Sequence, residues 1–331
     1  MHVRGLVLAI AFGLAGCSGP SAATDAFDGG LAEPLPATVA PGSSQSVHTR
    51  YPIILVHGFS GYKNIGPLNY FLGVSDALTA IGAQVFTAQL DTYNTSEARG
   101  AELATYIGQV LSDSKAAKVN LICHSQGGLD CRWAASDSGG KLGDKISAVV
   151  TIGTSHRGTP VADVAVGDIA GPLQDALAFT LNLFGNAVSS DSNVRAATEQ
   201  LTTKGAALFN QNYPDSASVR YFSIAGRSDG ARGDVDCATA TEASFIGRYD
   251  QITDPLNLLY SVPTAICNDS ANPPPANDGM VTVASARWGT FLGCLPTPHL
   301  GEVCQFFGAN PSYDCHQTYR DLANWLVSRG F

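Results

Sequence analysis

Apolar positions along the chain recur in a regular order. YPIILV (51–56) is a continuous apolar run that stops at His57-Gly58. NYFLGVSDALTAIG (69–82) spaces its apolar residues as a helix does, and AQVFTA (83–88) reads as a short strand. SEARGAELATYIGQVLSD (96–113) sets Leu103, Ile107, Val110 and Leu111 on one helical face. KVNLIC (118–123), ISAVVTIG (146–153) and VRYFSIAG (219–226) read as further strands. GLDCRWAA (128–135) reads as a helix between the first two of these, and HQTYRDLANWLVSRG (316–330) as a final one. Strands that are apolar throughout and alternate with helices predict an α/β fold, a mostly parallel sheet with helices on both faces. The rhythm breaks between Gly158 and Tyr213. There PLQDALAFTLNLF (172–184) places Leu173, Leu177, Leu181 and Phe184 along one face. That segment reads equally as a core helix or as a mobile apolar cover over a site.

The two ends of the chain differ from its body. Arg4, the apolar LVLAIAFGLAG and then Cys17 read as a signal peptide over residues 1–16. LAGC resembles the lipobox of bacterial lipoproteins, which implies a lipidated Cys17 and attachment to the membrane of the cell envelope. Ser18 after the cysteine points to the outer membrane by the same resemblance. An ordinary secretory signal cut near Ala22-Ala23 is the alternative. Residues 17–50, rich in Ser, Pro, Ala and Gly, read as a flexible tether, and 51–331 as one domain. At 45% hydrophobic and 14% charged residues this body can bury a large core. The net charge of -9 argues against nucleic acid, whose binding needs a basic surface. Export makes disulfides plausible for the seven cysteines after Cys17, and their odd number leaves one over. Cys123, on a buried strand, is the expected free thiol.

The candidate chemistry sits at KVNLICHSQGG (118–128). A serine hydroxyl needs a base, an oxyanion site and exposure before it can attack. A tight strand-to-helix turn supplies the exposure when small residues flank the serine two places before and after. Gly127 meets that condition behind Ser125; in front, Cys123 stands where glycine is usual. His57-Gly58-Phe59 follows the first strand, where a second oxyanion amide is expected, so the backbone N–H groups of Phe59 and Gln126 are the candidate donors. The acid and base should follow in that order. Asp278 in NDGMVTV and His299 in TPHLGEV are the best pair, with Asp254 and Asp269 as rival acids. Among the other histidines, His156 precedes every plausible acid, His124 should point away from its neighbour Ser125, and His316 should be an ordinary exposed helix position.

YPIILVHGF, NTSEARGAEL, KVNLICHSQGG, VTIGTSHRGT, KGAALFNQNYP, ANDGMV and HLGEVCQFFG stand in the order found in one group. From about Tyr51 to the C-terminus the chain resembles the true lipases of Pseudomonas and Burkholderia, triacylglycerol lipases of the α/β-hydrolase superfamily. The resemblance implies an α/β-hydrolase fold with a helical lid insertion at about 160–213, and a lipid or ester substrate. It implies Ser125 as nucleophile, Asp278 as acid and His299 as base of an acyl-enzyme mechanism. No cofactor is required. A structural calcium is possible, through Asp254 and backbone carbonyls of Gln305 and Ala309, although Gly301 stands where the second aspartate would be and Glu302 would have to reach round. A dedicated folding chaperone is a possible partner. The alternatives are a polyester depolymerase, a short-chain carboxylesterase, or a non-catalytic envelope module that binds lipid.

Overall fold

The computed structural model describes residues 48–59, 61, 64–65, 68–168, 192–228, 237, 243–249, 252, 261–271, 274–305 and 310–331. Its strands in chain order are β1 (Ile53–Val56), β2 (Asn64–Ile65), β3 (Leu68–Asn69), β4 (Val85–Thr87), β5 (Val119–His124), β6 (Ile146–Ile152), β7 (Arg220–Gly226) and β8 (Thr290–Leu295). Six of them form one parallel sheet in the order β4-β1-β5-β6-β7-β8, and β2 and β3 make a small separate hairpin. The strands expected from the apolar runs are all present. β8 was not anticipated, because TFLGCL carries Gly293 and Cys294 in place of a continuous β-branched run. The helix expected over 69–82 is shorter, α1 (Val74–Thr79), because Leu68–Asn69 pairs with Asn64–Ile65 and Gly73 takes a left-handed φ of 68° at the helix start.

Successive strand residues face opposite layers, as the period of two requires. Ile53 and Leu55 of β1, with Ile122, Val150 and Ile224, pack under α1 and the C-terminal helix Cys315–Ser328. Ile54 and Val56, with Leu121, Cys123 and Val149, pack under α2 (Ser96–Ser114) and α3 (Gly127–Ala135). Each fully buried Ile or Leu in these layers contributes about 1.5–3 kcal/mol. The packing fixes a sheet whose carboxyl edge carries the loops after β1, β5 and β8. Among the described residues no helix is long and apolar enough to cross a membrane. The segment 172–184 that reads as a core helix or cover lies outside the described residues, as do the signal and all of the tether before residue 48. The helix Thr203–Asn212 beyond it is packed on the body, Asn210 accepting from Arg132 at 2.7 Å.

The cysteines correct one expectation. Cys123 is not free: it pairs with Cys131 of α3, while Cys237 pairs with Cys294 and Cys304 with Cys315. Strand alternation turns Cys123 toward the α3 layer, and Cys131 lies on the side of α3 that faces it. Closing a loop of this length stabilises by about 2–3 kcal/mol. The free thiol among the described residues is Cys267, which is buried; burial, then the charge of Asp278, pushes its pKa up.

Candidate active site

β5 runs straight into Ser125, whose φ of 55° lies in the left-handed region that a side chain rarely adopts. Holding a non-glycine residue there costs on the order of 1–3 kcal/mol, so the surroundings must impose it. They do so through three bonds: Ser125 N–H donates to the Ile152 carbonyl at 3.0 Å, and the Ser125 carbonyl accepts from Gly128 N–H at 3.0 Å and Thr154 Oγ1 at 2.8 Å. The turn also needs its small neighbours. A Cβ on Gly127 would lie 2.7 Å from the carbonyl oxygens of Val56 and His57, and one on Gly58 would lie 2.5 Å from the Ser125 Cβ. Cys123 is tolerated in front of the serine because its side chain turns away from the corner into the disulfide with Cys131.

The three side chains expected to meet do so. The Ser125 hydroxyl donates to His299 Nε2 at 2.9 Å, and His299 Nδ1–H donates to Asp278 Oδ2 at 2.7 Å. Asp278 is itself seated in a turn closed by the Asn277–Thr282 bridge. Its Oδ1 accepts from the amides of Met280 at 2.7 Å and Val281 at 2.6 Å, which leaves Oδ2 for the imidazole. The His299 N–H bonds the Asp278 carbonyl at 3.0 Å, so acid and base are tied through backbone as well as side chain. Both are buried, whereas Ser125 is partly open. Gln126 follows the serine in the chain, and Gly58, the residue before Phe59, lies against the Ser125 side chain. Among the described residues no protein acceptor meets the backbone amide of Phe59 or of Gln126. Such an array can pass a proton from hydroxyl to imidazole.

The other candidates are placed elsewhere. Asp254 and Ala309 lie outside the described residues, and Asp269 ends the helix Ser261–Asp269 at the surface. His156 belongs to a separate buried cluster with Thr151 and Arg132. His316 is half-buried rather than exposed, its Nε2 2.8 Å from the Leu72 carbonyl. His124 points away from Ser125, as expected: Tyr70 Oη–H donates to its Nδ1 at 2.7 Å, and its Nε2–H donates to Glu302 Oε2 at 2.9 Å.

Glu302, which would have to reach round to serve a calcium, does not do so. It is fully buried behind the imidazole, with Oε2 3.7 Å from His299 Nδ1. Burial, then the Asp278 charge, pushes its carboxyl well above the usual range. The ligand atoms of His124, His299 and Glu302 lie within 4.8 Å of one another, but His124 Nε2 is already bonded to Glu302 and to the His299 carbonyl, and His299 to Asp278. Nor do the described residues fit calcium, which needs six to eight oxygens. Position 301 is glycine and Glu302 is turned inward, so neither offers a carboxylate there. Here the Cys304–Cys315 disulfide joins the His299 loop to the C-terminal helix.

Residues 51–260 match the model of the alpha/beta hydrolase fold. The chain belongs to that family. Within it the hydrolase groups with bacterial lipases. It is 30% identical over 307 residues to a triacylglycerol lipase of Vibrio cholerae, covering 85% of this chain and 89% of that protein. It is 32% identical over 307 residues to one from Burkholderia plantarii, covering 82% and 84%. The mature form of a Bacillus licheniformis lipase shares the fold, with a TM-score of 0.55 at 22% identity over 82% of this chain and 90% of that one.

Buried imidazoles give the hydrolase a pH dependence. Burial, then the charge of Arg99, pulls the His57 pKa down to about 3. Burial first also pulls His124 and His156 well below 6.5. All three are neutral in the fold and protonate below 6.5 once exposed, so unfolding takes up protons there. Glu302 acts oppositely, holding in the fold a proton that its unfolded form releases. Three half-protonated imidazoles against one carboxyl leave uptake of roughly half a proton at pH 6.5, rising toward two about one unit lower. Asp130, pushed up to about 6 mainly by burial, joins Glu302 below that pH and reduces the uptake to roughly one. Stability should therefore fall as pH drops from 6.5, by about 1.4 kcal/mol per pH unit for each proton taken up. Urea unfolding at pH 7, 6.5, 6 and 5.5 measures this, and a midpoint that holds or rises across the series contradicts it.

Proposed function

We propose that this ester hydrolase cleaves acylglycerols through an acyl-enzyme on Ser125. The observation that carries the reading is the single line of bonds from Ser125 Oγ through His299 to Asp278. His299 Nε2 takes the hydroxyl proton as Oγ attacks the ester carbonyl, and the amides of Phe59 and Gln126 receive the oxyanion. The imidazolium, held by Asp278, returns the proton to the leaving alcohol. Water activated by His299 then frees the fatty acid. Triacylglycerol is the favoured substrate because relatives covering most of the chain bear that name.

The same proposal has residues 1–16 removed, Cys17 lipidated, and residues 17–50 tethering the 51–331 domain to the envelope, on the outer membrane. A tether of that length reaches on the order of 30 Å, enough for the site to work on lipid near its own anchor. The segment 160–213 is assigned to the cover of the acyl site. The proposal gives hydrolysis no calcium requirement, because glycine at 301 and the inward-turned Glu302 take one hard anionic ligand away from a site that needs six to eight oxygens.

Titration of fatty acid released from emulsified long-chain triacylglycerol, beside short soluble esters and polyhydroxyalkanoate, tests substrate and metal together. The expected result is release from the emulsion that chelator changes by less than about twofold. Activity confined to short soluble esters or to the polyester overturns the substrate assignment. A chelator loss above about tenfold overturns the metal assignment.

A further inference from the structure

The oxyanion amide of Phe59 is useful only if its peptide plane faces Ser125, and the cause of that orientation lies deep behind it. In a trans peptide the carbonyl and the following N–H point in opposite directions. The Gly58 carbonyl therefore reports where the Phe59 N–H is aimed. That carbonyl accepts from three donors: His57 Nδ1–H at 3.0 Å, Gly61 N–H at 3.1 Å and Arg99 Nη2–H at 3.4 Å. The preceding carbonyl, of His57, accepts from the same Arg99 Nη2 at 2.7 Å. Arg99 comes from α2, is fully buried, and spreads its remaining donors with equal purpose. Its Nε donates to Asp130 Oδ2 at 2.8 Å, and its Nη1 donates to the Asp91 carbonyl. Asp130 belongs to α3, the helix that begins at the serine and presents Gln126 at its start. One guanidinium thus joins the loop that presents the Phe59 amide to the helix that presents the Gln126 amide.

We propose that Arg99, braced by Asp130, is a positioning residue that sets the oxyanion site by fixing the peptide planes after His57 and Gly58. A planar fork can meet carbonyls and a carboxylate in different directions at once, whereas a lysine ammonium supplies one compact charge and cannot span them. His57 works with it. Neutral, it accepts the Leu90 N–H on Nε2 at 3.1 Å and donates from Nδ1 to Gly58. The inference rests on Ser125 being the nucleophile.

Inactivation by a fluorophosphonate separates the two claims. In that reaction Ser125 Oγ bonds to phosphorus, its proton passes to His299, fluoride leaves, and negative charge builds on the phosphoryl oxygen in the oxyanion site. Wild type that shows no adduct on Ser125 refutes the nucleophile. If wild type labels, Arg99→Lys is expected to lower the limiting inactivation rate and kcat together by about 10- to 100-fold, while KM and the reagent's initial affinity change by less than about threefold. Asp130→Asn, which keeps size and shape, should lower both rates in the same ratio but by less. Equal rates in folded Arg99→Lys, or losses that appear in KM alone, overturn the proposal. If neither variant accumulates as folded protein, the pair is needed for folding and its positioning role is refuted.

Discussion

Ser125→Ala is expected to reduce kcat for ester hydrolysis by on the order of 10⁶-fold while KM stays within about threefold. In the proposed mechanism the hydroxyl becomes covalently bound, and its 2.9 Å bond to His299 Nε2 is the route by which its proton leaves. Removing it leaves the oxyanion amides and substrate binding intact, which together keep a residual rate about 10³–10⁴ above that of water. His299→Ala should cost a similar factor, and the double variant little more than either alone, because base and nucleophile act as one unit. Active-site titration on stringently purified protein measures this. More than about 1% of wild-type kcat in Ser125→Ala means that another residue attacks the ester.

Asp278→Asn is expected to lower kcat by about 10⁴-fold. The asparagine carbonyl can keep the Met280 and Val281 amides, which turns its NH₂ group toward His299 Nδ1. The imidazole must then carry its proton on Nε2, the tautomer that cannot receive one from Ser125. Asp278→Ala should be the milder change by about tenfold or more. With the aspartate gone, Glu302 Oε2 remains 3.7 Å from Nδ1, and the Asp278 charge that helps hold its carboxyl protonated has been removed. Adding Glu302→Gln should bring the alanine variant down to the asparagine level. An alanine variant as slow as the asparagine one means that Glu302 gives no support to the imidazole.

Much of this was legible in one dimension because the signals are local. A strand buried on both faces is apolar at most positions, so YPIILV, KVNLIC and ISAVVTIG announce themselves. A serine between a buried strand and two glycines is a corner wherever it stands, and acid before histidine narrows the partners. β8 was missed for the same reason in reverse, since glycine and cysteine interrupt its pattern. Cys123 was misread because strand position foretells burial, and burial alone does not reveal what lies across the layer. His316 and Glu302 were misread in the same way: neither its exposure nor its partner follows from a residue's place in a helix or loop.

The amino-acid sequence by itself determined the parallel sheet, the turn that carries Ser125 and the residues that complete its chemistry, because each depends on spacing within a few residues or on order along the chain. Only the tertiary structure decided the distances that make those residues a site: 2.9 Å across 174 positions between Ser125 and His299, a second carboxyl lodged behind the imidazole, and a guanidinium from α2 holding the loop after β1. Those contacts arise where segments remote in sequence are brought to one edge of a sheet, and side-chain direction there is set by packing that no short stretch of the chain encodes.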